Sequence, residues 1–353
     1  MTTHDRPPSG PDHPGAGQVG RELVEQLGEL TWERHGPMAV ANAERNQAVL
    51  SHGRSIAALR NADIGQGDSA VCLASGPSVA RRQPAAALKE SGYRGALIVA
   101  DSAFGYCLRN GLVPDLVVTV DPHPTRIVRW FGDPSLEGGP AGADDYFRRQ
   151  DLDPRHADEL RANREILDLM QKHARGVRIA LSTSASEAVV GRAIDLGMDI
   201  YWWNPMHDDP DLPGSVTRRL FEMNGMPCIN AGGNVGSASW MIADAVLGKR
   251  HVALSGFDFS YYADTPRSRT QYYREAVALV GEENLDDVFI WVHNPHLDQW
   301  FYTDPAYMWY RTALLDMARD ADCETVNCTE GGIIFGDAIS FAPLASFLAA
   351  HRA

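Results

Sequence analysis

Residues 71–124 read VCLASGPSVARRQPAAALKESGYRGALIVADSAFGYCLRNGLVPDLVVTVDPHP. Three short apolar runs stand out: Val71-Cys72-Leu73-Ala74, Ala96 to Ala100, and Leu116 to Val120. Each is too short for a helix and stops abruptly at small or acidic residues. That is the pattern of strands buried on both faces of a parallel sheet. Segments of helical composition separate the runs, so the unit reads β-α-β-α-β. Polar residues follow every strand: Ser75-Gly76-Pro77-Ser78, then Asp101-Ser102, then Asp121-Pro122-His123. Open parallel sheets bind ligands beyond the carboxyl ends of their strands, so these three ends are expected to converge on one site.

The same pattern recurs downstream. Arg178 to Leu181 ends at Ser182-Thr183-Ser184, Ile200 to Trp203 runs into a polar loop, His251 to Leu254 ends at Ser255-Gly256-Phe257-Asp258, and Glu324 to Asn327 leads into Thr329-Glu330-Gly331-Gly332. Helical patterns fill the intervals: Asp153 to His173, Ala185 to Leu196, Ala238 to Leu247, Asp304 to Arg319 and Ala342 to His351. The fold class is therefore α/β, a doubly wound, mainly parallel, Rossmann-like sheet. Gly132 to Ala143 reads as a loop, and the aromatic stretch Ser260 to Trp300 as a long excursion, part loop and part helix, over the mouth of the site.

Upstream of the first strand, residues 1–20 are rich in Pro, Gly and His and read as a disordered tail. Residues 21–67 carry Leu23, Leu27, Leu30, Trp32, Met38 and Val40 at roughly helical intervals. They read as an N-terminal helical extension of two or three helices, interrupted near Gly36-Pro37, packed on a main domain of residues 68–353.

Composition narrows the function classes. Among 353 residues the net charge is −14, which argues against a nucleic-acid partner. No apolar run approaches the ~20 residues that span a bilayer, so a soluble, cytoplasmic protein is expected. The five cysteines show no CxxC spacing and read as reduced, buried thiols. His207-Asp208-Asp209 completes no metal-ligand set nearby and reads as a solvated loop.

The strand ends collect Ser75, Gly76, Pro77, Ser78, Asp101, Ser102, Asp121, His123, Ser182 to Ser184, Asp258, Thr329 and Glu330. A second glycine turn, Gly232-Gly233-Asn234-Val235-Gly236, enters a helix, where free backbone N–H groups and the positive dipole end suit an anion. In outline this is a pocket for a nucleotide or nucleotide-sugar: glycine loops for phosphates, and carboxylates for ribose, base or a divalent ion. Ser75-Gly76-Pro77-Ser78-Val79 is not GxGxxG, and no GxxxxGK[ST] loop is present, so neither a hydride-transfer fold nor a Walker ATPase is supported.

These residues carry a resemblance. Ala74-Ser75-Gly76-Pro77-Ser78, Ala100-Asp101-Ser102-Ala103, Gly111-Leu112-Val113-Pro114-Asp115 and Thr119-Val120-Asp121-Pro122 look like the central domain of the motility-associated (Maf) flagellin glycosyltransferases. They also look like the related 6-hydroxymethylpterin diphosphokinase domain of the MptE type. Gly232 to Gly236, Leu254 to Asp258 and Thr329 to Gly332 extend the match over about residues 68–348. Val120-Asp121-Pro122 resembles the Maf branch more closely, since an Asp-Leu-Asp-Gly pattern is usual in the pterin branch. A more distant similarity is to bacterial sialyltransferases, through Gly-Pro-Ser and through Ser255-Gly256-Phe257-Asp258-Phe259. The resemblance implies a glycosyltransferase using a CMP-activated nonulosonic (sialic-acid-like) sugar, with an unassigned acceptor. It further implies that Gly76 to Ser78 hold the nucleotide and Gly232 to Gly236 its phosphate. The implied base is a histidine before the last long helix. No histidine directly precedes Asp304-Pro305, so the nearest, His293 and His296, are the candidates, with Asp258, Tyr302 and Asp304 next. The alternatives are diphosphate transfer from ATP, with Asp101, Asp121 or Asp258 placing Mg²⁺, and a nucleotide-binding module without chemistry.

Overall fold

The computed structural model describes residues 17–136 and 159–352. Nearly all of the expected tail, the later part of the Gly132 to Ala143 loop and the Asp153-Pro154 helix start lie outside the described residues. Among the described residues thirteen strands are formed: β1 Gly53–Ser55, β2 Ser69–Leu73, β3 Ala96–Ala100, β4 Leu116–Thr119, β5 Arg178–Ser182, β6 Asp199–Pro205, β7 Cys228–Ile229, β8 His251–Ser255, β9 Tyr261–Tyr262, β10 Ile290–Asn294, β11 Gln299–Thr303, β12 Glu324–Asn327 and β13 Ile339–Phe341. Ten of them make one sheet in the order β1-β6-β5-β4-β3-β2-β8-β12-β13, with β7 beside β6. All its strand pairings are parallel.

Side chains alternate across this sheet with period two. Val71 and Leu73 of β2, Leu97 and Val99 of β3 and Ile179 and Leu181 of β5 enter one core. Ala70, Cys72, Ala96, Ile98 and Ala180 enter the other. The helices Asp101–Arg109, Glu159–His173 and Glu187–Asp195 cover the first face with residues such as Phe104, Ile166 and Val189. Val235–Met241 and Pro305–Arg319 cover the second, through Ala238, Trp240 and Leu314. Two buried faces explain why the strands read as unbroken apolar runs. The chain winds outward from β2 through β3 to β6, then returns to the opposite side of β2 at β8. The strand order therefore reverses between β2 and β8.

Several local expectations are corrected. The helix Leu27–Asn46 runs through Gly36-Pro37 without a break. Proline costs it a hydrogen bond, but the turns beyond are held by burial of Ala39, Asn42, Ala43 and Asn46. The extension also contains β1, an edge strand paired with β6. The excursion after Ser260 contains a small antiparallel sheet, β10-β11-β9. Asp208 is not merely solvated: it accepts from Ser215 Oγ at 2.7 Å, Val216 N at 2.7 Å and Thr217 N at 3.0 Å, and so starts the helix Val216–Asn224. Burial alone would raise its pKa, but these bonds hold it at about 2. The cysteines are free, with Cys228 half-buried and the other four buried.

Candidate functional site at the strand-order switch

The site begins where β2 and β8 end side by side. Their loops are joined by backbone bonds, Ala74 N to Ser255 O and Gly76 N to Gly256 O, both 2.9 Å. Asp258, 2% exposed, then reaches back to β2. Its carboxylate accepts from Ser78 N at 3.1 and 3.2 Å and from Ser78 Oγ at 2.6 Å. A Cβ at Gly76 would lie 2.1 Å from Asp258 Oδ2, so this glycine lets two loops touch. Phe259, next to Asp258, takes φ 45°, a conformation that costs a bulky residue energy.

Above these loops lies a cavity of about 450 Å³, within the size range of small-ligand sites. Its floor is Ser75, Gly76 and Pro77 after β2, Asp101 and Ser102 after β3, Asp121 after β4, and Asp258 after β8. Gly233, Asn234 and Gly236 close one side. Gly233 sits at φ 80°, and a Cβ there would meet the Trp309 ring at 2.2 Å. The Asn234 side chain caps the following helix by accepting from Ser237 N at 2.9 Å. Aromatic walls come from Trp130, Phe259, Tyr261, Tyr272, Tyr307 and Tyr310. The rings brace one another: Tyr307 stacks on Tyr261 at 5.5 Å, and the Tyr272 and Tyr310 hydroxyls lie 3.2 Å apart. Arg81, Asp264 and Arg269 also line the cavity. Arg81 pairs with Asp264 at 2.5 Å, whereas the Arg269 side chain has no hydrogen bond or ion pair among the described residues.

The carboxylates are not equivalent. Burial pushes Asp258 up to about 7, against the pull of Ser78 and the nearby Arg81 and Arg82. Burial also raises Asp101 to about 7; the Thr119 hydroxyl and the Ser102 amide oppose this, and the Asp121 charge adds to it. Asp121 is half-buried, with Oδ1 accepting from His123 N at 2.7 Å. Burial likewise lifts the Tyr310 hydroxyl to about 12, so the walls stay neutral near pH 7.

Of the residues singled out by sequence, Ser75, Gly76, Pro77, Asp101, Ser102, Asp121, Gly233, Asn234, Gly236 and Asp258 line this cavity. Others do not. Ser78 is buried beneath it as the partner of Asp258. Gly232 sits behind the turn, against Met317 and Ser237. Thr329 ties β12 to the β8 loop by accepting from Phe257 N at 3.1 Å. Glu330 accepts from Leu344 N at 3.3 Å. His293 and His296 lie at the tip of the β10–β11 hairpin, beyond its pairing with β9. There His293 contacts Asp298 at 3.1 Å and His296 stacks flat on Phe341 at 5.0 Å, so neither lines the cavity. Asp121 and Asp258 share the carboxyl edge but end strands separated by β3 and β2. Three strand spacings are ~14 Å, and Asp258 is held by Ser78, so the two do not form one ion's ligand pair. Among the described residues, no group of three or more His, Cys, Asp or Glu side chains is placed to hold a metal ion.

Ser182 to Ser184, also expected at the site, is covered instead. Asn42 Nδ2 donates to Pro122 O and Ser184 O, each at 3.0 Å, and Asn46 Nδ2 to Thr183 O and Ala185 O, each at 2.8 Å. The helix Leu27–Asn46 thus covers the carboxyl end of β5 and reaches only the Pro122 carbonyl on the β4 side. The sequence reading missed Arg81, Arg269, Gln271, Tyr307 and Tyr310 as cavity residues. The tyrosines had a signal, since Tyr307 and Tyr310 open the helix after Asp304-Pro305. Arg269 had none.

No family model matches the sequence, and no curated protein matches it. Among solved structures the chain is similar to the Maf glycosyltransferase from Magnetospirillum magneticum AMB-1, at 15% sequence identity and a TM-score of 0.49. The similarity covers 87% of this chain and 38% of that one, so the chain spans about two fifths of that protein's length. No helix among the described residues is long and apolar enough to cross a membrane.

Proposed function

We propose that the protein is a glycosyltransferase whose cavity holds a nucleotide-activated sugar, with a CMP-activated nonulosonic acid as the donor. One observation carries the reading: the Ser75-Gly76-Pro77 loop and the Gly233 to Gly236 turn line the same aromatic-walled cavity, at the point where the strand order reverses. Crevices beyond the strand ends at such a reversal hold nucleotides, and a glycine turn such as Gly233 to Gly236 offers backbone N–H groups to phosphate. The nucleotide lies on the first loop and its phosphate at the second. Arg269, whose guanidinium has no partner among the described residues, meets the carboxylate of the acidic sugar. With both histidines outside the cavity, deprotonation of the acceptor hydroxyl falls to Asp121, which is half-buried and whose Oδ2 has no hydrogen-bond donor among the described residues. The CMP donor rests on the motif resemblance at Ser75 to Ser78 and Ser255 to Phe259.

A thermal-shift screen of CMP, CDP, ATP and hydroxymethylpterin, with and without Mg²⁺, tests the reading. CMP is expected to raise the midpoint, since a ligand at a hundred times its Kd stabilises the native state by ~2.7 kcal/mol. With a CMP-sugar donor, Asp121→Asn should lower turnover by roughly 10²–10⁴-fold with little loss of CMP affinity, while His293→Ala and His296→Ala stay near wild type. The adjacency of Asp101 and Asp121 favours a second reading, diphosphate transfer. Stabilisation by ATP, Mg²⁺ and the pterin, but not by CMP, would establish it in place of sugar transfer.

A further inference from the structure

The strand order gives Asp101 a task that goes beyond the donor class and rests on the nucleotide reading above. The central strands run β4-β3-β2-β8-β12-β13, with the first glycine loop after β2 and the reversal between β2 and β8. β3 is the neighbour of β2 on the side away from the reversal. In sheets wound this way, an acid ending that neighbouring strand, ~20 residues after the glycine loop, comes to lie against the ribose of a nucleotide held at the loop. Asp101 directly follows β3, about 25 residues after Gly76.

The local chemistry is unfinished in a way that fits a diol. Asp101 is 3% exposed yet lines the cavity. Its Oδ1 accepts from Ser102 N at 2.7 Å, and Oδ2 has no hydrogen-bond donor among the described residues. Nearby Thr119, at 0% exposure, has a buried hydroxyl with no hydrogen-bond partner among the described residues. In front, Ser75 Oγ donates to Ser102 Oγ at 2.7 Å, which leaves Ser102 Oγ a proton to give to a ligand. Buried polar groups are rarely left unpaired. A vicinal diol donates to a carboxylate and accepts from a hydroxyl at once, and so fills both vacancies. A phosphate at the same place would meet the charge of Asp101 head-on.

We propose that Asp101, with Ser102, binds the 2′,3′-diol of the donor's ribose, so that the site selects ribonucleotides over 2′-deoxyribonucleotides. The test is calorimetric titration of the full chain with CMP against dCMP, and with ATP against dATP. Wild-type protein is expected to bind the ribonucleotide of the preferred pair ~10–100-fold more tightly, the scale of a hydrogen bond to a charged group. Asp101→Asn should bring that ratio to within about threefold, chiefly by weakening the ribonucleotide. Equal wild-type affinities within a pair that does bind would overturn the assignment and leave the nucleotide reading standing. Absence of binding by all four nucleotides would overturn both. If Asp101→Asn does not fold, the wild-type comparison decides alone.

Discussion

A Cβ built on Gly76 would stand 2.1 Å from Asp258 Oδ2 and 2.5 Å from the Gly256 carbonyl oxygen. The position is glycine because the β2 and β8 loops touch there, before any ligand is considered. Real Cβ atoms do not approach so closely, so one loop must move. Gly76→Ala is expected to lower stability by about 1–3 kcal/mol, the usual cost of overpacking, read as a lower denaturant midpoint. A variant with unchanged midpoint would show that the loops part freely. Asp258 belongs to the same contact. Its type and place beyond a strand mark it as a site residue, but its oxygens are taken up by Ser78. It positions the floor of the cavity rather than projecting a free carboxylate into it. Asp121 and Asp101 each keep one carboxylate oxygen without a hydrogen-bond donor among the described residues, and the proposed base and ribose contact are assigned to these two.

The helix Leu27–Asn46 shows how one element decides where the site can be. Asn42 and Asn46, four residues apart and so on one helix face, take up four backbone carbonyls at the ends of β4 and β5. The carboxyl end of β5 is thereby closed, and the open part of the edge is the one over β4, β3, β2 and β8. Asn42→Leu and Asn46→Leu would each strand two buried acceptors. A loss of roughly 1–3 kcal/mol per unsatisfied group sets the scale, measured by urea unfolding of each variant. Asn42→Leu should also weaken ligand binding, because Pro122 adjoins Asp121, whereas Asn46→Leu should not. Equal effects on binding would mean that the helix acts only through overall stability.

Across the whole molecule, the buried carboxyls couple stability to pH. Burial raises Asp101 and Asp258 to about 7 and Asp304 to about 6. An unfolded aspartate titrates near 3.9. Between about pH 4 and pH 7 the native state therefore binds more protons than the unfolded state, and these groups make stability fall as pH rises. Asp208, held at about 2, acts the other way, but its contribution is lost only as pH falls below the unfolded value toward 2. Asp101→Asn should flatten the decline between pH 4 and 7, followed by urea midpoints at half-unit steps. A slope identical to wild type would show that Asp101 ionises in the folded protein as easily as in the unfolded one.

What the sequence determined by itself is the parallel sheet and the chemistry along its edge. Strands buried on two faces must be apolar throughout, so Val71 to Leu73, Ala96 to Ala100 and His251 to Leu254 were legible from composition alone, as was the cavity-lining set Ser75, Gly76, Asp101, Asp121 and Gly233 at their ends. The short or half-exposed strands β1, β7, β9 and β13 were not, because two or three residues carry no periodicity. The β10–β11 hairpin was hidden by its aromatic and polar mixture. Only the tertiary structure decided which polar ends face a ligand. Ser184 and Asp121 look alike in sequence, each polar and each just past a strand, yet one is covered by Asn42 and the other opens into the cavity. That choice depends on a helix more than a hundred residues from Ser184, and on a hairpin whose register carries His293 and His296 beyond the cavity. Contacts between segments so far apart along the chain leave no mark in the local pattern of either one.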